Sequence, residues 1–361
     1  MTPLPPGSRI GILGGGQLGR MLALAAAELG FDAHIYTPET DSPAARVAAG
    51  TLAAPYEDSA SLSRFAASVD VVTFEFENVP VAALATCADQ APVRPGPRSL
   101  EWTQDRLVEK QFVNGLGLAT APFAPVGSPS ELEEALVAIG APAILKTRRF
   151  GYDGKGQARI AQAADAAAAY AALNGAPAIL EGFVSFEREV SVVAARGADG
   201  DFAPFAVTEN VHADGILRRS TAPAPVTPAL TAEAVAAAQA IAAGLGHVGV
   251  LAVEFFVEPD GGLRVNEIAP RVHNSGHWTQ DAGSVSQFEQ HIRAVAGWPL
   301  VAPASPSRPV TMLNLIGDDA ADWRRLAAQP AARLHLYGKR DQRPGRKMGH
   351  LTLINTQADP P

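Results

Sequence analysis

Apolar positions along the chain change period several times, and each change marks an element. Residues 9–13, RIGIL, form a short apolar run of strand length. Leu18, Met21, Leu22, Ala25 and Leu29 then recur at helical spacing, which predicts a helix that Gly30 stops. Strands follow at 33–36 and 70–76, with a helix through 62–67 between them, so the first hundred residues read as strand-helix-strand units of a parallel sheet. Pro92, Pro95 and Pro97 mark the exit from this unit.

From Leu100 onward the pattern turns to short helices and strands with Gly-rich turns. Two strands echo each other, APAILK at 141–146 and APAILE at 176–181; two copies do not make a solenoid. Thr231 is placed to cap an Ala-rich helix running to Leu245, a strand covers 249–257, and Gly261-Gly262 turns it into a second strand at 263–268. After Val310 come a strand, a short helix near Trp323 and a hairpin over 333–354 around Pro344-Gly345. The stretch 234–256 is long enough to span a bilayer, but Gln239 and His247 interrupt it and Glu254 ends it, so it reads as a buried helix followed by a strand.

Composition narrows the class. The 361 residues are 47% hydrophobic and 18% charged, which fits a globular protein of two or three domains and excludes fibrous and disordered chains. With 29 Lys+Arg against 37 Asp+Glu the net charge is -8, opposite in sign to a chain that lives on phosphate-backbone contacts, so no nucleic-acid partner is expected. Cys87 is the one cysteine, which rules out an intrachain disulfide and a Cys-based zinc cluster. The Pro-rich start carries no signal-peptide pattern, so the expectation is a cytoplasmic protein with no membrane partner.

Candidate chemistry sits in five segments. Residues 14–19, GGGQLG, follow a strand and open a helix, fitting G-x-G-x-x-G; a dinucleotide, a different phosphate or simply a tight turn would each explain them. The second strand ends Tyr36-Thr37-Pro38 without the acidic residue that a dinucleotide ribose wants. Lys146 ends an apolar strand and is followed by Arg148, Arg149 and the loop GYDGKG at 151–156, which brings positive charge and close backbone approach to phosphates unless it is only a solvated turn.

The sharpest physical signal is Glu254 with Glu267. If Glu258 pairs with Leu263 across the turn, antiparallel register sets the two glutamates opposite each other on one face, shared with Val250, Ala252 and Val265. Such opposition destabilises a hairpin unless a divalent cation sits between the carboxylates, and Mg2+ suits carboxylate and phosphate oxygens. Asn266 is a neighbouring neutral ligand. His273 and His277 are four apart, but Ser275-Gly276 argues against the helix that zinc binding would need. Arg271 beside them reads as an anion-positioning residue, and the basic run at 339–347 is either a solvated face or a pocket for a small phosphorylated substrate.

Together the segments GGGQLGRM, FEFENVP, RFGYDGKGQ, HADGILR, NEIAPRVHNSGHWTQD and RPGRKMGHLTL resemble the 5-(carboxyamino)imidazole ribonucleotide synthases, over nearly the whole chain. The resemblance implies a mixed α/β and α+β protein with the ATP-grasp fold: a Rossmann-like pre-ATP-grasp domain (1–100) that does not bind NAD, an ATP-grasp domain (101–300, lid about 120–185) and a small C-terminal domain (301–361). It implies a ligase that uses ATP, Mg2+ and bicarbonate to carboxylate 5-aminoimidazole ribonucleotide by way of carboxyphosphate, in purine biosynthesis and as a homodimer. For ATP it implicates Arg106, Lys146, Gly151, Tyr152, Asp153, Gly154, Lys155, Gly156, Gln157, Glu181, Gly182, Phe183, Val184, Glu189 and His212, with Asn266 and Glu267 beside them. Glu254 and Glu267 would hold Mg2+; Arg271 and His273, with Lys146 and Asp153, would carry the chemistry. For the ribonucleotide the matches are Gln17, Glu75, Asp153, Arg271, Lys339 and Arg346. A dehydrogenase would explain residues 14–19 alone, and another ATP-grasp ligase would differ in the amine acceptor.

Overall fold

The computed structural model describes residues 2–151 and 155–354. Tyr152, Asp153 and Gly154, named above for the nucleotide loop, lie outside the described residues.

The N-terminal pattern folds as its periods predict. Arg9–Leu13, Asp32–Thr37 and Val71–Phe74 form a parallel sheet, joined at its edge by Gly50–Ala53, in the order Gly50–Ala53, Asp32–Thr37, Arg9–Leu13, Val71–Phe74. The edge strand escaped the sequence reading because its four residues alternate between exposed and half-buried and carry little apolar signal. The helix Gln17–Glu28 buries Leu18, Met21, Leu22 and Ala25, and Gly30, at φ +80°, ends the turn that follows it.

A second sheet is antiparallel and forms the centre of the molecule. Its order runs Leu263–Ala269, Gly249–Val257, Arg188–Arg196, Thr208–Ala213, Ile216–Ala222, Val310–Ile316, Lys347–Ile354, Ala332–Leu336. The C-terminal strands therefore continue the central sheet and share its hydrogen-bond ladder. One face is covered by the helix Pro228–Leu245, whose Ala234, Ala238, Ile241 and Leu245 join Val192, Leu251, Val253 and Phe255 in one apolar cluster. This helix is long and apolar enough to cross a membrane by length and composition, and here that apolar face is spent on the sheet. Its cap is Thr227, whose hydroxyl accepts the Leu230 amide at 3.2 Å; the expected cap, Thr231, sits one turn inside and bonds the Thr227 carbonyl. The other face packs on the helix Gln287–Ala296, which also contacts Gln17–Glu28 and so locks the N-terminal sheet against the centre.

The echoing segments become neighbours in a third sheet, ordered Phe123–Val126, Ala178–Gly182, Ala143–Thr147, Gln157–Ile160. Ala143–Thr147 and Ala178–Gly182 pair antiparallel, with Leu145 opposite Leu180.

The carboxylate hairpin reaches the expected opposition by a different route. Val257, not Glu258, pairs with Leu263, because the Glu258 amide donates to the Gly262 carbonyl at 2.8 Å and closes the turn one residue tighter. A bulge between Glu254 and Phe255 then absorbs Asn266 and brings Glu254 back opposite Glu267. It also turns Val265 to the far face: Val265 pairs with Phe255 and packs with Leu251 and Val253, whereas Val250 and Ala252 stay on the side of Glu254.

Candidate active site

The first strands of the central sheet and the third sheet face each other across a cleft of about 390 Å³. Strand alternation sends Glu254 and Phe256 into it from Gly249–Val257, and the bulge adds both Asn266 and Glu267 from Leu263–Ala269. Lys146 enters from Ala143–Thr147 and Arg106 from the first turn of the helix Arg106–Gly115, which Asp105 caps by accepting the Leu107 amide at 3.1 Å. Asp105 also takes two bonds from Arg148, at 2.9 and 2.7 Å, tying the helix start to the segment that leads into the Gly-rich loop. Of the residues named from sequence, the cleft unites Arg106, Lys146, Gly151, Lys155, Gln157, Glu189, His212, Glu254, Asn266, Glu267, Arg271 and His273.

Each carboxylate of the pair has one basic neighbour on its own side. Arg106 Nη1 lies 3.2 Å from Glu267, and His273 Nε2 lies 3.2 Å from Glu254. Burial and the Glu267 charge push Glu254 up to about 8; burial works against the Glu267 charge too, but Arg106 and Lys146 hold it below the usual carboxylate range. The Ser275 amide donates to His273 Nδ1 at 3.3 Å, which leaves Nε2 as the N–H that faces Glu254. Burial and Arg271 lower the His273 pKa well below the ordinary value, so the ring is neutral. The donor set therefore fits a hard divalent cation: two carboxylates crowded together at the cleft, the buried one, Glu254, held protonated near neutrality for want of positive charge.

Beside this pair, Glu181 receives two lysines, Lys146 at 2.8 Å and Lys110 at 3.5 Å, the latter buried. Burial opposes the charges of Glu181 and Lys110, yet the two ammonium groups hold Glu181 low. Glu189 pairs with His212, and against the cost of burial that contact and Glu254 raise the His212 pKa. Arg271 pairs with Glu77.

Some named residues stand outside the cleft lining. Glu181 stands behind Lys146, and Gly182 and Phe183 donate their amides to Pro122 and Pro142 carbonyls, at 2.8 and 3.1 Å, with Val184 following half-buried. Gly156, at φ +70°, sits where a Cβ would meet Thr147 Oγ1 at 2.6 Å, and its carbonyl accepts the Thr147 amide. Gln17 is half-buried at the start of its helix. Lys339 donates to the Lys347 carbonyl at 2.8 Å, while Arg346 donates to the Asp341 carbonyl at 2.9 Å within its own loop.

Residues 14–19 close around a side chain of the protein itself. The anion at this helix N-terminus is the protein's own: Glu75 accepts the Gly16 and Gly19 amides at 2.8 and 3.1 Å. Gly14, at φ +119°, lets the Glu75 side chain in, since a Cβ there would lie 2.5 Å from it. A dinucleotide pyrophosphate would have to displace Glu75 from these two amides, so the turn as folded does not favour the dehydrogenase reading. Burial raises the Glu75 pKa, with Arg271 and Lys339 acting in the other direction.

The cleft also holds residues the sequence reading missed. Glu109 follows Arg106 by three positions on one helix, so the spacing alone placed it on the same face. Its carboxylate accepts the Ile268 amide at 2.6 Å, and burial pushes it up to about 8. Phe256 follows Glu254 by two on one strand and stacks on Phe186 with ring centroids 4.6 Å apart. Glu77, inside FEFENVP, and Lys347, the last residue of the basic run, line the cleft as well.

This arrangement of cleft, facing sheets and carboxylate pair defines an ATP-grasp ligase, and an ATP-grasp domain model matches residues 111–288. A ribonucleotide synthetase preATP-grasp domain matches 8–104, and a phosphoribosylaminoimidazole carboxylase C-terminal domain matches 310–360. The chain is 54% identical to N5-carboxyaminoimidazole ribonucleotide synthase of Brucella melitensis over 98% of both chains. An N5-carboxyaminoimidazole ribonucleotide synthetase solved with ADP superposes with a TM-score of 0.93 at 42% identity, over 98% of this chain and 94% of that one. The Aspergillus clavatus synthase, solved with ADP and 5-aminoimidazole ribonucleotide, gives 0.91 at 30% identity, over 97% and 94%. The chain belongs to the N5-carboxyaminoimidazole ribonucleotide synthase family.

Proposed function

We propose that this chain carboxylates 5-aminoimidazole ribonucleotide with ATP and bicarbonate, yielding N5-carboxyaminoimidazole ribonucleotide, ADP and phosphate, as a step of purine biosynthesis. The observation that carries the reading is the Glu254/Glu267 pair, opposed at a bulge inside the cleft with Arg271 and His273 on the same side. Glu254 and Glu267 would hold Mg2+, with Asn266 adjacent, and the cation supplies charge neutralisation for phosphoryl transfer.

The remaining work falls to side chains. A bicarbonate oxygen attacks the γ-phosphorus of ATP and ADP leaves; Lys146 and Arg106 offset the charge that develops on the phosphoryl oxygens. The Gly-rich loop of residues 151–157 and the backbone at 181–184 bind the nucleotide, with Glu189 and His212 at its far side. Arg271 positions bicarbonate and then carboxyphosphate, helped by the His273 N–H. Carboxyphosphate hydrolyses readily, so closure of the lid over it excludes water until it breaks down to CO2 and phosphate. The exocyclic amine attacks CO2 and loses one proton, for which Asp153 is the assigned acceptor. Gln17, Glu75, Lys339 and Arg346 bind the ribonucleotide across the join of the N-terminal and C-terminal parts. That join is tight: Arg46 bonds the Gly338 carbonyl and Arg340 lies 2.8 Å from Asp41. The domain limits are those read from the sequence, the site of action is the cytoplasm, and the assembly is a homodimer.

The test is ADP release measured with and without each co-substrate. Turnover that needs both bicarbonate and 5-aminoimidazole ribonucleotide supports the reading; turnover that ignores the ribonucleotide, or follows another amine, refutes it.

A further inference from the structure

A second cluster of potential ligands lies away from the cleft. Asp281, His335 and His350 each offer one ligand atom, and these atoms lie within 4.8 Å of one another. Asp281 belongs to the helix Thr279–Ala282; His335 and His350 are register partners on the strands Ala332–Leu336 and Lys347–Ile354. Their rings stack at 4.4 Å with 13° between the planes, and His335 Nε2 lies 3.0 Å from both Asp281 oxygens. His350 is wholly buried; its Nδ1 meets the Tyr337 hydroxyl at 2.9 Å, and its Nε2 has no hydrogen-bond partner. A buried polar atom left without a partner costs about 1–3 kcal/mol, a cost that a ligand on Nε2 would remove.

We propose that Asp281, His335 and His350 form a binding site for a divalent transition metal of the zinc type, separate from the Glu254/Glu267 pair. Two imidazoles and one carboxylate are the donor set of a zinc site, whereas Mg2+ takes oxygens. Zinc bonds of about 2.0–2.1 Å set tetrahedral ligand atoms about 3.3 Å apart. Asp281 and His335 already have such spacing, but the stacked rings cannot both aim an in-plane nitrogen at one ion, so the partly exposed His335 must turn out of the stack while Tyr337 holds His350. The Tyr337 hydroxyl on Nδ1 orients the His350 ring and leaves Nε2 as the coordinating atom. An entry path exists, since the His335 side chain is 30% exposed. The ion would pin the C-terminal hairpin to the helix that follows the His273 segment. That segment is linked to the cluster through Gln287, which holds the His273 amide and carbonyl and reaches His277 Nδ1 at 3.0 Å, with the His277 ring 4.9 Å from His350.

The experiment is calorimetric titration of the untagged full chain with Zn2+ in millimolar Mg2+, paired with visible spectra of the Co2+-loaded protein. One equivalent should bind, with four-coordinate Co2+ bands. Asp281→Asn and His335→Gln, both at partly exposed positions and thus compatible with folding, should each weaken Zn2+ by about tenfold or more and abolish the bands. Glu267→Gln should leave both readouts unchanged. Absence of binding at about 100 µM Zn2+, or binding indifferent to both ligand variants, overturns the site and leaves His335 hydrogen-bonded to Asp281 beside a stacked ring.

Discussion

Two buried polar regions of this molecule are built on opposite rules. At the seam between the N-terminal sheet and the central sheet, two buried histidines share one residue. His291 Nδ1 accepts the Val250 amide at 3.0 Å while its Nε2 meets Thr73; His247 Nε2 donates to the Val250 carbonyl at 3.0 Å while its Nδ1 meets Ser99. Every ring nitrogen is bonded, and burial lowers the pKa of His247 to about 4 and of His291 to about 3, so both rings stay neutral. In the cleft, charge is crowded: Glu254 faces Glu267, Lys146 and Lys110 share Glu181, and Glu109 sits buried beside Arg106. The seam is complete as it stands and holds the domains together. The cleft is complete only when ligand charge enters it, which is what a nucleotide and cation site requires.

The contrast can be broken most severely at Glu267. Glu267→Gln should lower kcat by about a thousandfold, roughly 4 kcal/mol of transition-state stabilisation, while circular dichroism holds and the melting temperature falls only slightly, since Glu254 is already protonated near neutrality and only the partly exposed Arg106 contact is lost. Steady-state assays and a melting curve on one preparation check both halves; near-normal activity at limiting Mg2+ would sink the metal assignment.

Glu181→Gln attacks the cleft's structural charge instead. Removing the carboxylate leaves two ammonium groups facing each other in a buried place, so unfolding free energy should fall by about 3–5 kcal/mol in denaturant titrations. An unchanged midpoint would mean that the lysines find water.

Acid tests the seam. The folded pKa values of His247 and His291 lie below the unfolded value of about 6.5, so the unfolded chain takes up protons first as pH falls. Their contribution is therefore full above pH 6.5 and is lost toward pH 4, at about 2 kcal/mol for each ring between pH 6.5 and 5. Denaturant unfolding at stepped pH should show that slope, and His291→Gln should make it shallower.

Lys339→Ala carries the smallest effect. One charge-assisted bond to a phosphate is worth about 1.5–3 kcal/mol, so the KM for 5-aminoimidazole ribonucleotide should rise about ten- to a hundredfold with the KM for ATP unchanged. Arg346→Ala should act in the same direction and to a similar extent, since each side chain must release one carbonyl to reach the phosphate. A rise in the ATP value alone would move the basic run to the nucleotide side.

What the chain discloses about itself follows the range of the interactions. Periodicity located the strand Gly249–Val257 to the residue, and the opposition of Glu254 and Glu267 was readable because a one-residue error at the turn and a one-residue bulge cancel. Val265 carries the cost of that cancellation, since its face could be known only from the bulge. Glu109 and Phe256 were legible by helical and strand spacing from residues already singled out. The Glu75 carboxylate inside the glycine turn was not, because its partners lie 56 and 59 residues away and nothing local marks it. The histidine seam is beyond local reading for the same reason, with Thr73 and His291 separated by 218 positions.

The central claim is that this cleft couples ATP cleavage to formation of a carbamate on the ribonucleotide amine. The direct measurement is 13C NMR of a reaction supplied with 13C-bicarbonate, ATP, Mg2+ and 5-aminoimidazole ribonucleotide, with ADP counted in the same tube. One labelled carbamate per ADP, absent without ATP and lost in Glu267→Gln, is the predicted result. ADP released without label reaching the amine, or a labelled carbamate undiminished in Glu267→Gln, would contradict it.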